Sequence, residues 1–343
     1  MKFGIRLPVN GPFASKNSIV EIAKLADDLG FDSVWTQGHL LWNKSQHTSQ
    51  ISVGSVEALT DGQAPNLVDS ITTLSYVAAL TQNVRLGFSV FVAPLFQPVI
   101  AAKQLADLDF LSDGRLIFCT APGGPLINRD FEAVGVDFSQ RASIADEYID
   151  AIIRLWSSDA CSYHGKHVNF HDLSLYPKPV QKPHPPVWIA GGDPRALSRA
   201  AKLGTGWMLT TADPRSVVQD IEEYSTSFSK LQEKANGFGR RISDFALDLF
   251  ACAAGTDEEA SRISEKTIRA RLDRQAQSAG LKVPSREQIE NINLIGSMRS
   301  ISKKVEKFQQ AGVTTLEMKM ICWNLDQMKS MIRAISREVM PSF

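Results

Sequence analysis

The chain has 343 residues, 43% of them hydrophobic, which is enough apolar material for a large core. Its 37 basic and 37 acidic residues balance to a formal net charge of zero. That balance sets aside the broad basic face that nucleic-acid binding draws on, and no run approaches the roughly 20 apolar residues that span a bilayer.

Short β-branched or aromatic runs alternate with amphipathic segments along the chain. Phe3–Val9 reads as a first strand, followed by a helix capped by Asn17 or Ser18 that runs to Leu29 and stops at Gly30. Asp32–Thr36 is a second strand, Leu67–Leu80 a helix, and Val84–Val92 a third strand. Gln97–Leu111 has apolar residues at helical spacing, Arg115–Ala121 is a fourth strand, and Ser139–Trp156 is a long helix. Val187–Ala190 is a fifth strand, and Pro194 opens a helix to Leu203. Gly206–Thr210 is a sixth strand, with a helix from Pro214; Phe245–Ala253 is a seventh, Thr314–Met320 an eighth, with a last helix from Leu325.

Eight such alternations predict an α/β fold, a (β/α)₈ TIM barrel forming a single domain over 1–343. Three segments exceed what a plain barrel requires: Asn43–Asn66 after strand 2, Cys161–Pro186 before strand 5, and Thr256–Gly296 before strand 8. The N-terminus is a strand and a turn rather than an apolar leader, so the expected setting is cytoplasmic. Cys119, Cys161, Cys252 and Cys322 are far apart with no C-x-x-C pair, and three of them sit in apolar runs. They read as small buried hydrophobes, not as a disulfide framework.

In this type of barrel the chemistry sits at the C-terminal ends of the strands. His39 follows the second strand; an imidazole there either bonds locally or moves and orients protons near neutral pH. Gly191-Gly192-Asp193-Pro194 ends the fifth strand and opens a helix. It is either an ordinary turn or a phosphate site made of free amides and a helix start. Gly123-Gly124 is glycine-rich but lacks the lysine of a P-loop, and reads as a flexible turn. His164, His167 and His171 lack helical spacing or nearby acidic and cysteine ligands, so they read as hairpin histidines with no metal.

Taken together and in order, WTQGHLLW, VRLGFSVFVAP, QLADLDFLSDGRLIF, NRDFEAVGVDFSQR, LYPKPVQKPHPPVWIAGGDP and AAKLGTGW resemble the bacterial luciferase-like flavin oxidoreductases. The likeness spans about Lys2–Thr211 and returns over Gly296–Glu317. It implies reduced FMN, or the deazaflavin coenzyme F-420, lying across the strand ends. It implies His39 beside the ring and substrate, Trp42 lining the same pocket, and a non-prolyl cis peptide at Ser89–Val90 backing the ring. It also implies the cofactor phosphate on Gly191, Gly192 and Asp193, flanked by Ala121 and Gly123, with Thr210 and Thr211 as hydroxyl donors.

The activity implied is monooxygenation of a small organic substrate with oxygen. The alternatives are hydride transfer with the deazaflavin, or a non-catalytic flavin-binding barrel. A homodimer and a separate flavin reductase are implied as well, with no nucleic-acid or membrane partner. Two positions depart from the family pattern. Gly38 stands where an acidic residue usually precedes the histidine, and Gly124 stands where the sugar-phosphate dehydrogenase branch has a glutamate acid.

Overall fold

The computed structural model describes residues 1–41, 53–54, 66–212 and 221–343. Its strands in chain order are β1 (Lys2–Arg6), β2 (Ser33–Thr36), β3 (Arg85–Phe88), β4 (Phe91–Val92), β5 (Leu116–Ala121), β6 (Cys161–His164), β7 (Asn169–Leu173), β8 (Val187–Ala190), β9 (Gly206–Thr210), β10 (Asp244–Ala253), β11 (Leu294–Gly296) and β12 (Thr315–Met320). Parallel pairing runs β1–β2–β3–β5–β8–β9–β10–β12 and returns to β1, closing the eight-stranded barrel that the alternation predicts.

The third strand departs from a single run over Val84–Val92. It breaks after Phe88, passes through a cis Ser89–Val90 peptide, and resumes as β4, which pairs with the upper end of β5. The first helix, Lys16–Asp28, is capped two or three residues earlier than the sequence indicates: Ser15 Oγ accepts from Ser18 N at 3.1 Å. The long helix begins at Arg141, behind a 3₁₀ turn over Phe138–Gln140, and a short helix, Asn128–Ala133, precedes both. The helix expected from Pro214 is described from Ile221 to Asn236; its start lies outside the described residues.

Side chains alternate across a strand, so every second residue of the barrel points inward. The lower interior is filled by Trp35 and Trp188, with ring centroids 5.4 Å apart, packed with Ile117, Cys119, Met208 and Ala246. The tryptophans fit because their neighbours are glycines. A Cβ on Gly206 would lie 2.3 Å from Trp188, and one on Gly87 would lie 2.2 Å from Trp35. The outward faces of the strands pack on the helices through residues such as Ile22, Leu74, Leu105 and Ile152.

The insertions before strands 5 and 8 are ordered where described. The first carries the antiparallel β6–β7 hairpin. The second carries the helices Asp257–Ala279 and Arg286–Asn291 and then β11, which extends the sheet by pairing with Ala251–Ala253 of β10. It has an apolar cluster of its own, in which Ile263, Ile268, Leu272 and Ile289 meet Phe250 and Cys252. The insertion after strand 2 lies largely outside the described residues.

Because the interior is full at Trp188, Gly206→Ala is expected to destabilise the fold by about 1–3 kcal/mol, the usual cost of overpacking. Urea melts followed by tryptophan fluorescence measure this; an unchanged midpoint contradicts the close packing.

Candidate active site

The C-terminal strand ends surround a cavity of about 480 Å³. Its floor is made by Ser89, Met208 and Asp248, and His39 stands on the β2 side. Gly38 and His39 follow β2 directly. A Cβ on Gly38 would lie 2.3 Å from the Val90 carbonyl oxygen, so no side chain fits there and no carboxylate can precede the histidine. The loop takes its anchor from elsewhere. Buried Asp130 accepts from Leu40 N at 2.9 Å and also from the Leu41 amide. Burial pushes the Asp130 carboxyl up, and those two backbone bonds oppose the rise.

His39 is held neutral. Burial, then the positive charges of Arg271 and Arg6, lower its pKa from the ordinary 6.5 to about 4. Its Nδ1 is buried without a hydrogen-bond partner among the described residues. A buried polar nitrogen without a partner is costly, and His39 as a residue lines the cavity. The local-bonding reading of His39 therefore has no partner at Nδ1 among the described residues.

Beside His39, on the neighbouring strand, β3 gives way to the cis Ser89–Val90 peptide, and both residues line the cavity. Ser89 N donates to Thr36 O at 2.6 Å, and Arg6 Nη2 donates to Ser89 Oγ at 2.7 Å, which fixes this wall from below. Ala121 and Gly123 line the β5 side.

At the far end, Gly191, Gly192 and Asp193 line the cavity, but their amides are not all available. Gly191 N donates to Met208 O at 3.0 Å, and the Asp193 carboxylate already caps the helix Pro194–Leu203, accepting from Arg195 N at 2.9 Å and Ala196 N at 3.1 Å. The expectation that these amides carry anion binding is corrected on that point. The positive charge at this end comes from arginines to which the sequence reading gave no binding role. Arg195 is exposed at the mouth, Arg141 stacks on Phe138 at 3.9 Å, and Arg199 pairs with Asp146 at 2.5 Å. Gly191 keeps its place for a backbone reason: its φ is +120°, and a Cβ would meet that of Ala196 at 3.0 Å.

Thr210 lines the cavity, whereas Thr211 does not. Successive residues face opposite sides, and the buried Thr211 hydroxyl donates to Asn293 Oδ1 at 2.6 Å. Trp42 lies outside the described residues. His164, His167 and His171 bond to Asn169, Ser143 and Ser162 on and beside the hairpin, away from the cavity. Asp248 and Arg271 also line the cavity and were not singled out from the sequence.

The profile of the family described as luciferase-like monooxygenase matches residues 1–315. The chain belongs to that family. Among curated members, the FMNH(2)-dependent dimethylsulfone monooxygenase of Pseudomonas putida is 27% identical over 276 residues, 73% of this chain and 73% of that protein. The F420-dependent glucose-6-phosphate dehydrogenase of Kineococcus radiotolerans is 30% identical over 197 residues, 56% of this chain and 52% of that protein. Among solved structures, the monooxygenase RslO1 from Streptomyces bottropensis shares the fold, with a TM-score of 0.77 at 24% identity over 100% of this chain and 99% of that one. In this luciferase-like chain, the cis peptide that the resemblance implies stands at Ser89–Val90.

The neutral state of His39 has a measurable sign. Its folded pKa lies below the ordinary value, so between about pH 6.5 and 4 the unfolded chain binds the extra proton. Stability of the cofactor-free protein is expected to fall as pH drops through that window, and His39→Gln is expected to flatten part of the fall. Urea melts at several pH values compare the two proteins; parallel curves contradict a buried neutral imidazole.

Proposed function

We propose that the protein is a flavin-dependent monooxygenase that takes reduced FMN and oxygen and oxidises a small organic molecule. The observation that carries this reading is the polarity of one cavity. It has an arginine-rich end and, at the other, the imidazole of His39, held neutral by burial and by nearby arginine charge. A volume of about 480 Å³ falls within the roughly 300–1,000 Å³ of small-molecule and cofactor sites. Arg195, Arg141 and the backbone at Gly192 fit a phosphate, Thr210 offers a hydroxyl beside them, and the Ser89–Val90 wall offers a surface for a flat ring. Bound reduced FMN supplies the electrons that activate oxygen.

The chain's own residues then have distinct tasks. Arg195 and Arg141 bind the phosphate and fix the cofactor's direction. His39, neutral at working pH, keeps a proton on one nitrogen and accepts at the other. It orients a reacting oxygen by hydrogen bonding rather than arriving as an imidazolium. Asp130 holds the loop that carries it. The name of the P. putida relative supports reduced flavin as the form taken up, and that of a 28% identical relative from Acinetobacter baylyi, the oxygenase component of a trigonelline monooxygenase, supports a separate reductase as its supplier.

Hydride exchange with the deazaflavin coenzyme is the second reading, favoured by the 30% identical F420-dependent relative. Gly124 counts against the sugar-phosphate branch of that chemistry, because the acid implied there by the resemblance is missing.

Anaerobic titration with reduced FMN and with reduced F-420, read by fluorescence, decides between the cofactors; binding of neither ends both readings. His39→Ala is expected to lower turnover about 10²-fold or more with little change in cofactor affinity, as judged by oxygen uptake across a substrate panel. Unchanged turnover removes the catalytic role. Arg195→Ala and Gly192→Val are each expected to raise the Kd for reduced FMN roughly tenfold, through loss of a charged donor and through obstruction of close approach. A normal Kd in both moves the phosphate elsewhere.

A further inference from the structure

At and beneath the cavity floor lies a group of charges to which the proposed reaction gives no common task. Arg6 on β1, Asp248 on β10, and Glu317 and Lys319 on β12 all point into the barrel, and none is more than 7% exposed. Lys319 Nζ lies 2.7 Å from Asp248 Oδ1 and 4.4 Å from the centre of the Phe250 ring. Arg6 Nη2 lies 3.7 Å from the same carboxylate oxygen, and Arg6 Nε pairs with Glu317. The group meets the cavity at two points: Asp248 lines it, and Arg6 bonds to Ser89 Oγ at 2.7 Å.

Stability does not account for these residues. Well-packed apolar side chains of similar volume commonly hold a core as well as a buried ion pair does. Four ionisable groups in the interior of a barrel therefore ask for a function. We propose that Arg6, Asp248, Glu317 and Lys319 are positioning residues that set the reduction potential of the flavin ring lying on the floor above them. The inference rests on the flavin reading given above.

The physical argument concerns net charge under the ring. Two electrons and one proton convert oxidised FMN to its anionic reduced form, so the ring gains one negative charge. Cations below it favour the reduced form, anions favour the oxidised form, and a dry interior transmits both strongly. Burial pulls Arg6 down, but Glu317 and Asp248 together hold it above its ordinary value, so it stays charged. Burial pushes Asp248 up, yet Lys319 and Arg6 bring it below the ordinary carboxylate range, so it stays an anion. Burial raises Glu317 and outweighs Arg6. Burial lowers Lys319 to about 8, against the attraction of Asp248. Arg6 thus stays a firm cation and Asp248 a firm anion, while burial weakens the charge of both Glu317 and Lys319.

The test is a charge cycle on the FMN-loaded protein. The midpoint potential is measured during slow reduction by xanthine and xanthine oxidase beside a reference dye, and FMN affinity is measured separately in both redox states. Lys319→Met is expected to lower the potential, weakening the reduced form relative to the oxidised one about tenfold, the scale of one charge at short range. Asp248→Asn is expected to shift it in the opposite direction. The double variant is expected to return close to the wild-type value, and Lys319→Arg to retain it. If Lys319→Met does not fold, Asp248→Asn against Lys319→Arg makes the same comparison. Shifts of one sign in both single variants, or no shift in either, overturn the inference. Wild-type protein that binds no FMN overturns the flavin reading itself; FMN binding with an invariant potential overturns only this proposal.

Discussion

Two tryptophans side by side, Trp35 and Trp188, decide how the rest of the barrel is used. They occupy the lower interior so fully that Gly87 and Gly206 cannot carry a methyl group, and the lower barrel is therefore a solid plug. The buried charges that point inward sit above the plug, toward the C-terminal ends of the strands. There the interior changes character: Arg6, Asp248, Glu317 and Lys319 are as buried as the tryptophans but charged. Above them the strands stop and the cavity opens. Plug, charged layer and cavity follow from which alternate positions of each strand carry a large ring, a charge or nothing.

The charged layer also acts upward. Arg6 contributes to keeping His39 neutral and at the same time holds the hydroxyl of Ser89. Arg271, from the insertion before strand 8, adds its charge from another side. The imidazole is thus under cationic influence from both the barrel and the insertion. Acid chemistry that needs an imidazolium would be disfavoured there, whereas hydrogen bonding by a neutral ring is favoured.

The barrel itself was legible because parallel strands buried on both faces write continuous apolar runs, and VWIA and GWMLT have no other plausible reading. The positions of His39, the Ser89–Val90 wall and the glycine turn were legible from strand ends and resemblance. The role of individual atoms was not. Whether the Gly191 amide is free depends on Met208, 17 positions away in sequence, and whether Thr211 faces in depends on the last residue of a strand. Ser15 was passed over as a cap because the apolar pattern begins several residues later. The clearest missed signal is a charge inside an apolar strand: Asp248 in DFALDLFACA, and Glu317 and Lys319 in TLEMKM. Such residues are expensive to bury, and that cost alone marked them for attention.

The insertion before strand 8 is tied to the barrel at both ends of its path. The helix Asp257–Ala279 follows β10, and β11 lies back against the last residues of the same strand. Its apolar cluster closes largely upon itself and upon Phe250 and Cys252. The segment thus delivers Arg271 to the cavity without sharing the packing of Trp35 and Trp188. A change near Arg271 would then reach one wall of the cavity from outside, through a segment that the two tryptophans do not touch.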